Sequence, residues 1–241
     1  MAPLICAHRG SCGVSGLTAA ERYGRAIEMG VDYVELDAWR TSDGVYVNHH
    51  DDLTPSGVSP ASLTYGELKS ELGSELLTLD ELLDQGALRV GLHVDLKEPG
   101  REIETVRAVL DRCAESRFVV TTGDVEAIRN IKESFPAVRA GLTLGADMRN
   151  ARTWATLRQR MSELFPGERL KRSHADFVAA HQQLARIRLL RYCAGRGLAA
   201  WVWTVDDEAA IARFIADRRV TALITNRPDI ALRLRAGLPH H

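Results

Sequence analysis

Two carboxylates and two adjacent histidines are the residues of this chain whose types and spacing first suggest chemistry. Glu35 and Asp37 lie two positions apart at the end of a strand-like run over residues 33–36. Because successive side chains of a strand point to opposite faces, both carboxylates lie on one face and the aliphatic residues on the other. His49 and His50 follow soon after. Carboxylates and imidazoles held together can bind a metal ion or transfer protons.

A second strand-like run repeats this arrangement. In the stretch LHVDLKEP, His93, Asp95 and Lys97 share one face, and the aliphatic residues take the other. The first strand-like run of the chain ends at His8, and Arg9 follows it. If the aliphatic faces pack against helices, the ionisable side chains of all three runs converge at one end of the sheet.

Three converging carboxylates need a counter-charge. Glu35, Asp37 and Asp95 would repel one another, and a buried unpaired charge costs several kcal/mol. An all-oxygen ligand set suits one hard divalent cation, Mg²⁺ or Ca²⁺, better than zinc. The alternative that the residues leave open is a structural ion-pair network in which the carboxylates pair with Arg9 and Lys97.

Histidines are the candidate proton carriers, because their unperturbed pKa lies near neutrality. His8 and His50 are the preferred pair. His49 is adjacent and would point the opposite way in an extended segment, and the presence of Asp51 after His50 favours His50. A cation, two imidazoles, a guanidinium and an ammonium around one cavity could cleave a phosphate ester, with one imidazole as base and the other as acid.

The elements that must position these residues alternate regularly along the chain. Amphipathic, helix-like stretches separate short strand-like runs, which predicts an α/β fold with a parallel sheet. Eight such units favour a closed (β/α)8 TIM barrel, and a doubly wound open sheet is the alternative. The strand-like runs are residues 4–7, 33–36, 90–96, 118–121, 138–144, 176–180, 198–205 and 222–225.

One segment breaks this alternation. Residues 41–64 are rich in Gly, Pro, Ser and Thr and read as a small insertion after the second strand. The expected organisation is a single catalytic domain over residues 1–238 with a tail at 239–241. Residues 149–172 are rich in arginine and are either a lid or a solvated helix.

Composition limits the class of protein. The 241 residues carry 31 Lys and Arg against 32 Asp and Glu, a net charge of −1, so no broad polycation is present for nucleic acid or a stable membrane association. The four cysteines form no CxxC pair, and no apolar run approaches the roughly 18 residues of a membrane span. Without a recognisable signal peptide, a cytoplasmic protein is expected. The oligomeric state stays open.

Several motifs together resemble one family. AHRG, GVDYVELDAWRTSDGVYVNHHD, LHVDLKEP, WVWTVDD and ALITNRPD occur in the order found in glycerophosphodiester phosphodiesterases and cover almost the whole chain. The resemblance implies a TIM barrel with a small insertion after strand 2. It also implies hydrolysis of a glycerophosphodiester or a related small phosphodiester to a phosphomonoester and an alcohol.

The resemblance assigns roles to eight positions. They are the acid/base pair His8 and His50, the substrate-binding Arg9, Lys97 and Trp203, and the cation ligands Glu35, Asp37 and Asp95. Trp203 could equally be a core-packing residue. Two departures bear on substrate and metal: Gly16-Leu17-Thr18 stands where the family has Pro-Glu-Asn, and Asp95 stands where it usually has a glutamate.

Two other functions remain open at this point. One is a related phospholipase of the lysophospholipase D or sphingomyelinase D type, which can cyclise its product. The other is a non-catalytic relative that binds a phosphorylated ligand, which the altered loop after His-Arg-Gly motivates. The paired His8 and His50 argue against it, because binding alone needs no acid and base.

Overall fold

Eight parallel strands of the computed structural model close into a barrel, which confirms the predicted TIM-barrel fold. The structure describes residues 2–86, 89–145 and 162–238. The strands pair in the order β1-β10-β9-β8-β7-β6-β5-β2, and β1 also pairs with β2, so the ring is complete. The described strands are β1 (Leu4–Ala7), β2 (Tyr33–Arg40), β3 (Tyr46–Asn48), β4 (Leu77–Thr78), β5 (Gly91–Leu96), β6 (Phe118–Thr122), β7 (Arg139–Leu144), β8 (Phe177–His181), β9 (Ala199–Trp203) and β10 (Ala222–Thr225).

Helices connect the barrel strands, and their starts are encoded locally. Thr18 and Glu21 form a capping box at the first helix, and the Asp124 and Asp207 side chains accept backbone N–H groups at two later helices. The described helices are α1 (Ala19–Glu28), α2 (Tyr65–Leu72), α3 (Leu79–Asp84), α4 (Glu102–Leu110), α5 (Val125–Ser134), α6 (Gly167–Ser173), α7 (Gln182–Leu184), α8 (Leu190–Ala194), α9 (Glu208–Ala216) and α10 (Pro228–Ala236), with a π-helical turn (Ala185–Leu189) joining α7 to α8.

Two apolar layers follow from the alternation of strand side chains. The outward-facing residues of the strands, such as Val34 and Val94, belong to the large core shared with the helices. A smaller cluster of inward-facing residues, centred on Trp201 and Phe177, fills the barrel interior. Tyr33 and Phe177 both pack against Trp201 with ring centroids 5.1 Å apart. This cluster fills the barrel below the ionisable residues, and a cavity lies at the carboxyl ends of the strands.

The segment after β2 carries its own small sheet. β2 continues to Arg40, and β3 pairs with it antiparallel before β4 pairs with β3. Trp39, Val47 and Leu68 are buried together in a separate cluster that joins this sheet to α2. The Asp37 N–H donates to the Asn48 side chain over 2.9 Å, so the chain entering the histidine pair is tied to β2.

Two sequence expectations concern residues that the structure covers only in part. Residues 149–161 of the arginine-rich segment, including Trp154, lie outside the described residues, and α6 begins within its remainder. Among the described residues, no helix combines the length and the apolarity needed to cross a bilayer. The cytoplasmic location stays a prediction.

Candidate active site

A cavity of about 640 Å³ opens at the carboxyl ends of the barrel strands. This is the end at which TIM barrels build their chemistry. The structure brings to it every residue for which the sequence suggested a role: His8, Arg9, Glu35, Asp37, His50, Asp95, Lys97 and Trp203. His93, Thr121, His181, Asp206 and Asn226 also line it, and the sequence indicated no role for these five.

Three carboxylates form the floor of the cavity. One oxygen from each of Glu35, Asp37 and Asp95 lies within 4.8 Å of the others. Asp37 on β2 is directly opposite Asp95 on β5, so parallel pairing sets the two side by side. Glu35 is 4% exposed and Asp37 is 1% exposed, which removes most of the screening that water would give their charges.

Lys97 and Arg9 neutralise part of this charge. The Lys97 ammonium lies 2.9 Å from Asp37 Oδ1 and 2.7 Å from Asp95 Oδ2. The Arg9 guanidinium is 3.7 Å from Asp37 Oδ2. The ion-pair network that the sequence left open is therefore present. It is incomplete, because Asp37 Oδ2 is buried without a hydrogen-bond partner among the described residues.

The pKa values of the carboxyl groups also indicate that the cluster lacks positive charge. Burial, followed by the charges of Asp37 and Asp95, raises the pKa of Glu35 well above its usual value. Burial also acts to raise the pKa of Asp95, but Lys97 and the Thr121 hydroxyl outweigh it and lower that pKa. An orphaned carboxylate oxygen beside a glutamate that resists ionisation is a donor set that fits a hard divalent cation.

The turn after β1 holds Glu35 from two sides. Arg9 has a left-handed backbone, with φ of 50°, and its N–H donates to Glu35 Oε2 over 2.7 Å. Gly10 also has positive φ, and a Cβ there would lie 2.3 Å from the Tyr23 ring. The Tyr23 hydroxyl in turn donates to the Glu35 carbonyl over 2.6 Å. The strained turn thus positions a carboxylate of the cluster.

His8 is oriented by an amide and a carboxylate that follow the two neighbouring strands, β10 and β9. His8 Nδ1 lies 2.9 Å from Asn226 Oδ1. Asp206 fixes that amide, since its two oxygens accept from Asn226 Nδ2 over 2.8 Å and from the Asn226 backbone N–H over 2.7 Å. Because Asn226 therefore presents its oxygen, the proton of a neutral His8 is on Nδ1 and Nε2 is left as an acceptor. Burial, and next the charge of Arg9, lowers the pKa of His8.

His50 has a different environment. Its Nδ1 lies 2.7 Å from Asp51 Oδ1, and its side chain is 41% exposed at the cavity mouth. The hydrogen bond lowers the pKa of Asp51, so the carboxylate stays ionised next to the ring. Neighbouring His49 donates its backbone N–H to the Asp37 carbonyl over 3.0 Å. The partner of the His8 ring is therefore an amide oxygen, and the partner of the His50 ring is an ionised carboxylate.

Two aromatic rings form the wall contributed by β8 and β9. His181 packs edge-on against Trp203 with centroids 5.2 Å apart. Trp203 Nε1 donates to the Ala179 carbonyl over 3.0 Å, which fixes the indole. This indole lines the cavity, although it also makes the packing contacts of a core residue.

Comparison with known proteins gives one family. The model of the glycerophosphoryl diester phosphodiesterase family matches residues 8–230. A glycerophosphodiester phosphodiesterase from Caldanaerobacter subterraneus subsp. tengcongensis is 24% identical over 257 residues, covering 97% of this chain and 98% of the relative.

Solved structures share the fold. A glycerophosphodiester phosphodiesterase from Parabacteroides distasonis has a TM-score of 0.77 at 22% identity, with 97% of each chain covered. A phosphodiesterase from Oleispira antarctica, solved in complex with the product sn-glycerol-3-phosphate, has a TM-score of 0.77 at 18% identity, with 98% of each chain covered.

Proposed function

The chain belongs to the glycerophosphoryl diester phosphodiesterase family and is a phosphoric diester hydrolase, and from this premise we propose that it is a cation-dependent enzyme using two histidines. Its substrate is a glycerophosphodiester or a related small phosphodiester, which it hydrolyses to a phosphomonoester and an alcohol. The product bound to the Oleispira antarctica phosphodiesterase supports sn-glycerol-3-phosphate as the monoester.

His8 is the general base and His50 is the general acid in this proposal. The acceptor Nε2 of neutral His8 removes a proton from the attacking water. His50, whose Nδ1 lies 2.7 Å from the Asp51 carboxylate, protonates the leaving alkoxide. The observation that supports this proposal is that both rings line one cavity with different partners, an amide oxygen for His8 and a carboxylate for His50, because a base and an acid need different environments.

The positively charged side chains beside the carboxylates bind the phosphate group of the substrate. Arg9 can place two N–H donors on anionic oxygens, and Lys97 acts as a point charge. Glu35, Asp37 and Asp95 would hold one divalent cation, Mg²⁺ or Ca²⁺. When bound, the cation supplies charge that stabilises the anionic transition state.

A turnover assay with a panel of diesters tests this function. The panel contains glycerophosphocholine, glycerophosphoethanolamine, glycerophosphoinositol and a sugar phosphodiester, each with Mg²⁺ or Ca²⁺. We expect chelator to abolish turnover and either cation to restore it. His8→Ala and His50→Ala should each lose about 10²–10⁴ in kcat. His49→Ala is the matched control and should keep most activity; equal activity in all three variants would refute the proposed pair.

A nitrophenyl diester separates the two roles. Its leaving group needs little protonation, so His50→Ala should lose much less activity on it than on glycerophosphocholine, whereas His8→Ala should be impaired on both. Incorporation of label from ¹⁸O-water into the primary monoester distinguishes direct hydrolysis from the cyclising phospholipase reaction. Binding of a diester without any turnover, with cation present, would instead indicate the non-catalytic relative.

A further inference from the structure

A chain of buried hydrogen bonds leads from the barrel interior to Asp95. The Thr121 hydroxyl donates to Asp95 Oδ1 over 2.6 Å. His93 Nε2 lies 2.7 Å from the same hydroxyl oxygen. Cys6 Sγ lies 3.8 Å from His93 Nδ1. Thr121, His93 and Cys6 are each 3% exposed or less, so water does not compete for these bonds.

With Asp95 ionised, the directions of the two bonds at Thr121 follow. An ionised Asp95 only accepts, so Thr121 uses its single proton on the carboxylate. The Thr121 oxygen then accepts from His93 Nε2–H, and in a neutral ring Nδ1 is the acceptor facing the Cys6 thiol. The ring itself is held edge-on against Trp201, with centroids 5.3 Å apart.

This series of hydrogen bonds fixes Asp95, a residue type that is unusual at its position. Asp95 is one methylene shorter than the glutamate that the family resemblance places here, so it reaches less far into the cluster. Thr121 holds one of its oxygens, and Lys97 holds the other at 2.7 Å. A carboxylate fixed at both oxygens keeps one orientation relative to Glu35 and Asp37 and loses little entropy when it binds an ion.

We propose that Thr121, backed by His93, is a positioning residue that orients Asp95 and thereby sets the cation affinity of the carboxylate cluster. This inference rests on the proposed cation dependence. Neither residue touches the substrate in this role. Their effect is on the ligand, as partners of metal-binding side chains commonly act.

Calorimetric titration of the apoprotein with Mg²⁺ tests this role without relying on turnover. Thr121→Val keeps the shape of the side chain and removes the hydroxyl, and we expect it to weaken cation binding about 10–100-fold. Thr121→Ser restores a donor and should recover most of the affinity. Thr143→Val is the matched control: this threonine lines the same cavity, and its buried hydroxyl has no hydrogen-bond partner among the described residues. Its cation affinity should equal that of the wild type.

A double-mutant cycle tests whether His93 acts through Thr121. His93→Leu alone should weaken cation binding. Added to Thr121→Val, it should cause little further loss of affinity. Thermal unfolding of each apoprotein checks that the barrel persists. Wild-type affinity in Thr121→Val, or an equal loss in Thr143→Val, would overturn the inference alone. A wild type with no measurable cation affinity would overturn the proposed cation dependence together with it.

Discussion

His8 owes its proposed role to side chains that the first strand does not contain. Asn226 and Asp206 lie beyond the ends of β10 and β9, which follow β1 in the ring on the side away from β2. Together they place the proton of the neutral ring on Nδ1, and the basic Nε2 faces Arg9, whose Nε–H donates to it over 3.4 Å. The Asn226 hydrogen bond acts to raise the pKa of His8, but burial and the Arg9 charge outweigh it and the pKa is lowered. A carboxylate at this place would favour the charged ring more strongly.

The pH dependence of turnover should report this environment. Burial, and next Arg9, lowers the pKa of His8 below its usual 6.5. A base works in its neutral form, so a lowered pKa extends activity to lower pH. We expect kcat/KM, measured with saturating cation, to stay constant as the pH falls to 6.5 and to decline only below that value. An acid limb centred above that value would show that another group is the base.

At the scale of elements, the turn between β1 and α1 carries the tightest packing at the site. Gly10→Ala would add a Cβ 2.3 Å from the Tyr23 ring at a φ of +62°. Tyr23 is fully buried and holds the backbone of Glu35, so it cannot move aside freely. We expect this variant to lose about 1–3 kcal/mol or more of unfolding free energy and most of its cation affinity.

Gly16→Ala is the control for that substitution. Gly16 also has positive φ, at +78°, but a Cβ there has nothing within 4 Å. It should lose only the smaller amount due to backbone strain, with cation affinity unchanged. Denaturant unfolding together with calorimetric titration measures both. Equal losses in the two variants would mean that strain, and not contact with Tyr23, determines the effect.

The sequence predicted elements with a clear hydrophobic period. It did not predict elements and residues whose role depends on contacts with distant parts of the chain. The alternation of Glu35 and Asp37 with aliphatic residues is enough to identify β2 and its inward face from the amino-acid sequence. α2 was not predicted, although Thr64 and Glu67 form a capping box at its start, because it is short and weakly amphipathic. The sequence indicated no role for Asn226, although it lies in the ALITNRPD motif, or for Thr121, since their importance comes from contacts across 218 and 26 positions of sequence.

On the scale of the whole molecule, the carboxylate cluster opposes folding unless its charge is balanced. Glu35 and Asp37 on β2 lie close to Asp95 on the neighbouring strand β5, inside the closed ring of strands. Lys97 and Arg9 balance two of the three charges. A ligand that binds only the folded protein raises its stability, by about 2.7 kcal/mol at a concentration of 100 times Kd. Cation binding should therefore stabilise the entire barrel.

Glu35→Gln tests this balance by removing one charge without changing the shape of the side chain. In chelator it should melt at or above the wild-type temperature, because folding no longer has to bury an ionised Glu35 or protonate it, and the amide oxygen can still accept from the Arg9 N–H. Added Mg²⁺ should raise the melting temperature of the wild type but not of this variant. Glu102→Gln is the control: that glutamate is buried against Asn130, away from the cavity, and its variant should keep the full response to Mg²⁺. A Glu35→Gln protein that melts lower in chelator, or that still responds to Mg²⁺, would show that the cluster is balanced without a cation.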